Sequence, residues 1–367
     1  MGIVGTGNIA GGYADDIVTH PEIRLVAATD LHASRAAAFG EAHDCRIHRS
    51  FDELLADPSV DIVVNLTVHQ AHYAITKQAL ETGKHVYSEK PFALRAQQAR
   101  ELVELARSRG LRLGCSPATF LGEAQQTAAG VIRSGRLGKV RAIYADVSWG
   151  RLETWHPAPQ AFHEVGALFD VGVYPLTLVT TMIGPATSVG ASGWELMPDR
   201  QTLSGERFRI GSPDLVMSTV ELQGGAVLRL TTSFYVGAPV KGQGSIEFHG
   251  DDASLFLGSF QNFDAEVEVG LFGGDYAPVE LVRPGPARIA WARGVAEMAQ
   301  AMAEGRPHRA SAEQAAHVVE ILEAAARSVA DGGRRVSISS TFSTPPLLPW
   351  AEPTPPSWPH YGRRGSA

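Results

Sequence analysis

The sequence predicts an α/β protein in which an N-terminal doubly wound parallel sheet is followed by an α+β domain with a large, mostly antiparallel sheet. Three observations predict this fold class. Short apolar strands alternate with helical stretches up to about residue 116, strand-like runs then follow one another from 186 to 282, and two helical stretches close the second domain. Parallel strands need helical crossovers between them, whereas consecutive short strands favour antiparallel pairing.

Length, composition and charge are those of an ordinary globular protein. The 367 residues suffice for about two domains. A net charge of −7, without a run of five basic residues, argues against nucleic acid and anionic membrane surfaces as partners. Cys45 and Cys115 lie far apart and outside any metal-ligand spacing, so we expect no disulfide framework and no metal site. No apolar stretch approaches the ~20 residues of a membrane span and no leader pattern precedes the first strand, so we expect a cytoplasmic protein.

The first domain is predicted to cover residues 1–118. Its predicted elements are strand 3–4, helix 9–20, strand 23–29, helix 33–42, strand 45–47, strand 61–66, helix 71–82, strand 85–87, helix 95–109 and strand 111–115. Ser50, with Glu53 three residues on, resembles a capping box and marks a further helix start. The apolar run 61–66 is typical of a strand buried on both faces of a parallel sheet. The first strand is short, which fits either a start upstream of Met1 or simply a short strand.

The second domain is predicted to cover residues 119–338, and a Pro-rich tail to cover 339–367. The domain's predicted elements are helix 125–134, strand 140–149, strands 215–222, 226–234, 244–248, 253–257 and 265–271, and helices 287–304 and 311–330. From Pro345 onward the chain is rich in Pro, Ser and Thr, so we expect a disordered or loosely held segment. A docking role for its aromatic residues Trp350 and Trp358 stays open.

A glycine-rich turn directly follows the first strand. Gly5-Thr6-Gly7-Asn8-Ile9 runs into Ala10 and forms a Gly-x-Gly-x-x-Ala pattern. The first glycine permits a tight strand-to-helix turn, the second lets backbone approach a phosphate, and the small third residue lets helix and strand pack closely. The helix start then offers free N–H groups to an anion. The turn therefore predicts a site for the pyrophosphate of a dinucleotide.

Asp30 supports this interpretation, because it ends the second strand roughly 20 residues beyond the turn, where an acidic side chain binds the adenosine ribose. A carboxylate there favours NAD, since it repels the 2′-phosphate of NADP. Arg35 is close enough in sequence to accommodate that phosphate if Asp30 points away, so NADP stays open. The structural alternative is a buried glycine turn in a domain that binds no nucleotide.

The triplet Glu89-Lys90-Pro91 stands at the carboxyl end of the strand at 85–87, on the sheet edge where doubly wound folds bind ligands. A lysine there can meet a substrate beside a bound cofactor. Pro91 can hold a cis bond that fixes the direction of Lys90. The alternative is a solvated turn with a surface ion pair.

Asp170 and Tyr174 lie four residues apart in the segment 166–175. If they share the first turn of a helix that continues to Met182, they project from one face. A carboxylate and a phenol on one face suit a sugar hydroxyl, which needs an acceptor to orient it and a group to relay its proton. The alternative is a helix cap and a half-buried packing residue.

The order of these motifs resembles that of the Gfo/Idh/MocA family of NAD(P)-dependent sugar and cyclitol oxidoreductases. The resemblance rests on the Gly5–Ala10 turn, on Asn65-Leu66-Thr67 with His72, on the run 79–91 that ends in Glu-Lys-Pro, and on 166–174, and it extends to about residue 338. It implies a Rossmann domain followed by a domain built on a large, mostly antiparallel sheet, whose open face often makes homo-dimers or homo-tetramers.

The resemblance also implies roles for individual residues. Lys90 matches the lysine that lies between nicotinamide and substrate and takes part in proton transfer, and Asp170 matches the substrate-binding aspartate. Tyr174 stands where members carry a histidine or tyrosine that donates or accepts the proton. His156 is a candidate substrate contact, with a surface loop histidine as the alternative. The residues that we expect to contact the cofactor are Gly5, Gly7, Asn8, Ile9, Asp30, Arg35, Thr67, His72, Glu89 and Lys90.

The sequence departs from the family pattern in two places. The glycine cluster before Asp170 is reduced to residues 164–167, and Tyr174 replaces the histidine of inositol dehydrogenase-like members. This favours an aldose, a dihydrodiol-like compound or a related carbonyl substrate over inositol. We expect reversible hydride transfer between NAD(H) and a secondary alcohol or carbonyl carbon of a sugar, cyclitol or polyol. In the oxidation direction Lys90 or Tyr174 would accept the hydroxyl proton, which requires the pKa of one of them to be lowered toward neutrality. The alternatives are a glycosidase that uses NAD transiently and a nucleotide-sensing regulator without turnover.

Overall fold

The computed structural model describes residues 1–237 and 242–352. Within these residues the strands form a six-stranded sheet, a nine-stranded sheet and a two-stranded hairpin. The six strands are parallel, and the nine-stranded sheet is mostly antiparallel. The predicted fold class is therefore confirmed.

The six-stranded sheet belongs to the first third of the chain. Its strands are β1 (Gly2–Val4), β2 (Ala27–Thr29), β3 (Arg46–Ile47), β4 (Ile62–Asn65), β5 (His85–Ser88) and β6 (Leu113–Cys115). The helices between them are α1 (Ala10–Ile17), α2 (Ala33–His43), α3 (Phe51–Ala56), α4 (His72–Glu81) and α5 (Ala96–Ser108). The strand order β3-β2-β1-β4-β5-β6 is that of a doubly wound dinucleotide-binding sheet, in which the order reverses beside β1.

The prediction for β4 is confirmed, and that for Ser50 is confirmed for the serine side chain. All four residues of β4 are buried, as expected of an apolar strand covered on both faces. The Ser50 hydroxyl accepts a hydrogen bond of 3.1 Å from the Glu53 N–H at the start of α3. The Glu53 carboxylate accepts its bond from the N–H of Arg49, one residue earlier than in a standard capping box.

The nine-stranded sheet follows in the order β16-β15-β14-β13-β7-β12-β11-β8-β17. The remaining elements of the described chain are α6 (Glu123–Arg133), β7 (Val140–Ser148), α7 (Gln160–Val165), α8 (Ala167–Asp170), α9 (Val173–Ile183), β8 (Ala186–Trp194), β9 (Asp199–Gln201), β10 (Arg207–Arg209), β11 (Leu215–Leu222), β12 (Val227–Ser233), β13 (Ile246–Gly250), β14 (Ala253–Leu257), β15 (Val267–Leu271), β16 (Tyr276–Pro278), α10 (Arg293–Ala303), α11 (Ala312–Ala330) and β17 (Val336–Ser337). Strands β7 and β12 pair in parallel, and the other neighbours pair antiparallel. Strands β9 and β10 form the separate hairpin.

One face of the large sheet is covered and the other is open. Helices α6, α8 and α11 pack on the covered face, and α11 also packs against α5 of the first domain. Along β11 buried residues alternate with partly or fully exposed ones, so the opposite face carries exposed side chains. In the part of the chain that the structure describes, no helix combines the length and apolarity needed to cross a membrane.

The start of the expected loose tail is packed onto the body of the protein. Leu347 and Ala351 are buried, and the Arg309 guanidinium donates to the carbonyl oxygens of Pro346 and Leu347 at 3.0 and 2.9 Å. The Arg283 guanidinium lies 3.8 Å above the ring of Trp350. Residues 345–352 therefore differ from the expectation, because a buried arginine and a cation–π contact hold them. Trp358 lies outside the described residues.

Candidate active site

The carboxyl ends of the central parallel strands bring the predicted cofactor residues to one sheet edge. Gly5 follows β1, Asp30 follows β2, Thr67 follows β4 and Glu89 follows β5. Strand β1 pairs with both β2 and β4, and β4 pairs with β5, so these four positions are neighbours. This is the edge at which doubly wound sheets bind their ligands.

The glycine turn has the backbone that a phosphate site requires. Gly5 has a φ of +90°, and a Cβ there would lie 2.8 Å from the carbonyl oxygen of Leu66. A Cβ on Gly7 would meet nothing within 4 Å, so the space above that residue is open. Helix α1 begins at Ala10 without a side-chain cap. The Ala10 N–H donates to the Gly7 carbonyl oxygen at 3.1 Å, so the N–H groups that follow it in the first turn are those that can face an anion. These residues fit the pyrophosphate of a dinucleotide.

Asp30 holds the glycine turn in place. Its carboxylate accepts hydrogen bonds from the N–H and hydroxyl of Thr6 at 2.8 and 3.1 Å and from the N–H of His32 at 2.8 Å. Burial acts to raise the pKa of Asp30, but these donors and the nearby Arg35 hold it below its usual value. The half-exposed Arg35 guanidinium lies 3.6 Å from the carboxylate. Both residues that bear on cofactor choice therefore lie beside the turn.

His72 is buried between the loop after β4 and the turn after β5. Its ring is 1% exposed, with one nitrogen 2.8 Å from the carbonyl oxygen of Pro91 and the other 3.0 Å from that of Thr67. Burial lowers the pKa of His72 to about 4. Because both ring nitrogens face backbone carbonyls, His72 joins the loop after β4 to the turn after β5. The Thr67 hydroxyl donates to the side-chain oxygen of Asn65 at 2.7 Å, which fixes the same loop.

Glu89 connects the Lys90 turn to the helix of the nucleotide site. One carboxylate oxygen accepts a 2.7 Å bond from the hydroxyl of Tyr13 on α1, and the other accepts a 3.1 Å bond from the Lys90 N–H. The Tyr13 hydroxyl also lies 2.9 Å from that of Ser116. The Lys90–Pro91 peptide bond is cis. Sequence reasoning did not single out Tyr13, which reads as an ordinary buried helix residue.

Lys90 and Asp170 form a buried ion pair across 80 residues of sequence. The Lys90 ammonium donates to the carboxylate Oδ1 of Asp170 at 2.7 Å and to its carbonyl oxygen at 2.9 Å. The ammonium also lies 5.0 Å from the centre of the Tyr174 ring. The Lys90 side chain is 11% exposed and that of Asp170 is fully buried. The three residues predicted to act in chemistry are therefore brought together.

The backbone that carries Asp170 and Tyr174 differs from the predicted single helix. Helix α8 ends at Asp170 and α9 begins at Val173, with Gly172 between them. A Cβ at Gly172 would lie 2.4 Å from the carbonyl oxygen of Leu168, so the close turn requires glycine. Despite the break, both side chains reach Lys90.

The charge states of these groups are opposite to the expectation of a lowered pKa. Burial opposes a charge on Lys90, but Asp170, Tyr174 and Glu89 together raise the pKa of its ammonium. Burial raises the pKa of Tyr174 to about 12, although the Lys90 charge acts in the other direction. The pKa of Asp170 is lowered by Lys90 and His69 against the effect of burial. At neutral pH the site therefore holds an ammonium, a carboxylate and a neutral phenol.

His69 is a member of the site that sequence reasoning missed. Its Nε2 lies 3.4 Å from Asp170 Oδ1, and its side chain is 11% exposed. The signal available in the sequence was its position three residues before His72, directly ahead of α4. Nothing in that spacing indicates a partner 101 positions away, in α8.

Aromatic side chains line the outer part of the site. The Phe162 ring lies 5.2 Å from that of His69 and 4.6 Å from that of His156. His156 in turn lies 5.6 Å from the half-exposed ring of Trp155. One ring nitrogen of His156 accepts a 3.0 Å bond from the Ala158 N–H. The predicted substrate contact therefore stands beyond Phe162, further out than Asp170.

Trp291 closes the inner side of the cofactor edge. A small cleft is lined by Glu89, Ser116, Pro117, Ala118, Tyr174, Ile289, Ala290 and Trp291. The Trp291 ring lies 6.0 Å from that of Tyr13, and a Cβ on Gly12 would be 2.9 Å from it. The neighbouring Ala292 N–H donates to the Asp16 carboxylate of α1 at 2.7 Å. No sequence pattern indicated Trp291, because this packing joins opposite ends of the chain.

A resident metal was not expected at this site. Over residues 1–237 and 242–352, no group of three His, Cys, Asp or Glu side chains is arranged to hold one.

Two family models match the chain. One, described as an oxidoreductase family with an NAD-binding Rossmann fold, matches residues 1–116. The other, described as the GFO/IDH/MocA C-terminal domain, matches residues 125–256.

Individual proteins of known name are also similar. The D-xylose 1-dehydrogenase (NADP(+)) of Hypocrea jecorina is 34% identical over 200 residues, which cover 48% of this chain and 51% of that enzyme. The trans-1,2-dihydrobenzene-1,2-diol dehydrogenase of Homo sapiens is 32% identical over 227 residues, 60% of this chain and 64% of that enzyme. The chain thus spans half to two thirds of the length of these relatives. The crystal structure of aldose-aldose oxidoreductase from Caulobacter crescentus, complexed with glycerol, superposes with a TM-score of 0.77 at 21% identity, covering 92% of this chain and 98% of that one.

Proposed function

Since the chain belongs to the Gfo/Idh/MocA oxidoreductase family, we propose that it is a nicotinamide-dependent oxidoreductase. It transfers a hydride reversibly between NAD(P)(H) and a secondary alcohol or carbonyl carbon of a sugar, cyclitol or related polyol. The observation that carries the proposal is the 2.7 Å pair of Lys90 and Asp170 with Tyr174 beside it. Glu89 and Tyr13 attach this cluster directly to the helix of the nucleotide turn. Relatives that act on a sugar and on a diol support the same class of substrate.

The charge states favour proton donation to a carbonyl oxygen. When bound, the nicotinamide supplies or accepts the hydride. Lys90 and Tyr174 both carry a proton at neutral pH, so either can donate to the substrate oxygen as the hydride reaches carbon. Asp170 orients Lys90 and accepts a hydrogen bond from a substrate hydroxyl. In the oxidation direction, Lys90 or Tyr174 must first lose its proton before it can act as the base.

The same proposal includes a preference for NAD over NADP. The Asp30 carboxylate puts a negative charge beside the turn, which disfavours a 2′-phosphate. Arg35 partly offsets that charge and is half exposed, so NADP is expected to bind more weakly without being excluded. Dissociation constants for the two cofactors, measured by titration, test this order. Tighter binding of NADP would overturn it.

We further propose a homo-oligomer that forms through the open face of the nine-stranded sheet. Tyr144, Met217 and Tyr276 are each more than 40% exposed on strands of that sheet. Light scattering coupled to size-exclusion chromatography tests the assembly, and Met217→Lys should shift it toward monomer.

A cytoplasmic location is part of the proposal, because Cys45 and Cys115 are both free thiols, as is usual in a reducing compartment.

The decisive experiment follows the absorbance of reduced nicotinamide while the protein, with NAD or NADP, is offered aldoses, ketoses, inositols and their glycosides. Substrate-dependent reduction of the cofactor supports the proposal and names the sugar class. Release of an aglycone without net absorbance change would replace it with transient-redox glycosidase activity. Lys90→Ala should lower turnover by at least ~10²-fold with cofactor affinity retained, whereas Lys77→Ala, on the surface of α4, should not.

A further inference from the structure

Asp170 has one occupied oxygen and one free oxygen. Oδ1 is shared by the Lys90 ammonium at 2.7 Å and the His69 Nε2 at 3.4 Å. Oδ2 is buried and has no hydrogen-bond partner among the described residues. A buried carboxylate oxygen without a donor costs free energy, so this atom needs a ligand that donates to it.

The surroundings of His69 restrict where its ring can lie. It belongs to a 3-10 turn at His69–Ala71, between β4 and α4. Its ring stands edge to face against Phe162 at 5.2 Å and against His72 at 6.0 Å. The His72 ring is itself buried between two backbone carbonyl oxygens, and its single N–H donates to one of them. The imidazole is therefore held with Nε2 directed at Asp170.

We propose that His69 is a positioning residue: together with Lys90 it holds Asp170 by Oδ1 and leaves Oδ2 to accept a hydrogen bond from a substrate hydroxyl next to the reacting carbon. This inference rests on the proposed function and deepens it. Lys90 donates to the oxygen on the reacting carbon, and Asp170 Oδ2 accepts from the hydroxyl on the neighbouring carbon. One donor beside one free acceptor fits a vicinal diol or an α-hydroxy carbonyl compound.

The role of His69 does not depend on a second charge. A neutral imidazole protonated at Nε2 and an imidazolium both donate from that atom. A glutamine side chain also donates an N–H and is uncharged, so His69→Gln keeps a donor for Asp170, whereas His69→Ala removes it. Gln70→Ala is a matched control, because Gln70 is the next residue in the turn and its side chain bonds the exposed Glu164.

Kinetics with a vicinal-diol sugar and with the analogue that lacks the neighbouring hydroxyl test the inference. In the wild-type protein the deoxy analogue should lose about 10- to 100-fold in kcat/KM, the range of a hydrogen bond to a charged group. His69→Ala should lose a similar factor on the diol and little on the deoxy analogue, so that the discrimination disappears. His69→Gln and Gln70→Ala should keep the discrimination, and cofactor affinity should be unchanged in all three variants. An equal loss by His69→Ala on both substrates would overturn the positioning role.

A second measurement does not require turnover. Long-range ¹H–¹⁵N NMR of ¹⁵N-histidine-labelled protein reports which ring nitrogen carries a proton, and His69→Gln assigns the signal. We expect a proton on His69 Nε2, and an unprotonated Nε2 would overturn the inference because His69 would then donate nothing to Asp170. If the wild-type protein reduces no cofactor with any polyol, the proposed function fails, while the NMR result still decides how Asp170 is held.

Discussion

Removing one partner of the Lys90–Asp170 pair should lower both the free energy of unfolding and the turnover. Removing both partners should restore the free energy of unfolding but not the turnover. Lys90→Met leaves a fully buried carboxylate without its cation, and Asp170→Asn leaves an ammonium that is 11% exposed without its anion. An unpaired buried charge of this kind costs about 3–5 kcal/mol of folding free energy. Solvent reaches neither group well enough to reduce that cost substantially. The double variant carries no unpaired charge, so we expect it to unfold within about 1–2 kcal/mol of the wild type.

Urea denaturation followed by tryptophan fluorescence gives the four free energies of the double-mutant cycle, which isolates the pairwise interaction. We expect a coupling of at least about 4 kcal/mol, because the two single losses of about 3–5 kcal/mol each should shrink to about 1–2 kcal/mol in the double variant. Cofactor-linked turnover should fall at least ~10²-fold in all three variants, because the proton donor or its carboxylate is absent. If the free energy lost by the double variant equals the sum of the two single losses, the reasoning about a buried, mutually dependent pair is refuted.

Three further predictions follow from the site. Gly5→Ala should lower the melting temperature, because the added Cβ would meet the Leu66 carbonyl oxygen at a φ of +90°. Gly7→Ala should keep the melting temperature and weaken cofactor binding, because the space above Gly7 is open. Equal shifts in melting temperature for the two variants would contradict this difference. Arg35→Ala should weaken NADP binding more than NAD binding in parallel titrations, and an equal effect on both would remove Arg35 from cofactor choice. The pKa of Tyr174 is raised to about 12 and that of Lys90 is also raised, so both groups keep their protons through the neutral pH range. The rate of carbonyl reduction should therefore be flat from about pH 6 to 9, and a fall across this range would show that a different group donates.

Much of the fold was accessible from the sequence, because local patterns determine it. The apolar run that becomes β4 and the serine that caps α3 are recognisable from consecutive residues. The placement of Lys90 at the end of β5 follows from the strand before it, since parallel strands share one ligand-binding edge. The convergence of Lys90, Asp170 and Tyr174 was implied by family resemblance and not by spacing.

The remaining site residues depend on contacts between distant parts of the chain. Tyr13 meets Glu89 across 76 residues, and Trp291 packs on the first helix from near the other end. His72 carried a signal as a histidine at the sheet edge, but periodicity cannot show that both of its nitrogens face backbone carbonyls. The directions of the pKa shifts were inaccessible from the sequence for a related reason, because burial and the mutual field of Lys90 and Asp170 exist only once the two segments meet.

The Lys90–Asp170 pair also divides the chemistry between two units of the chain. Lys90 is supplied by the doubly wound sheet, and Asp170 by a helix that packs on the antiparallel sheet. A gene fragment that encodes only the first unit retains the glycine turn, Asp30 and Lys90, but not the carboxylate that holds the ammonium. The glycine turn and Asp30 therefore lie within the first unit, whereas the proposed proton chemistry needs side chains of both units. Under the proposed function, recombination that exchanges the second unit would thus replace both the carboxylate that holds Lys90 and the Trp291 side of the cofactor cleft in a single step.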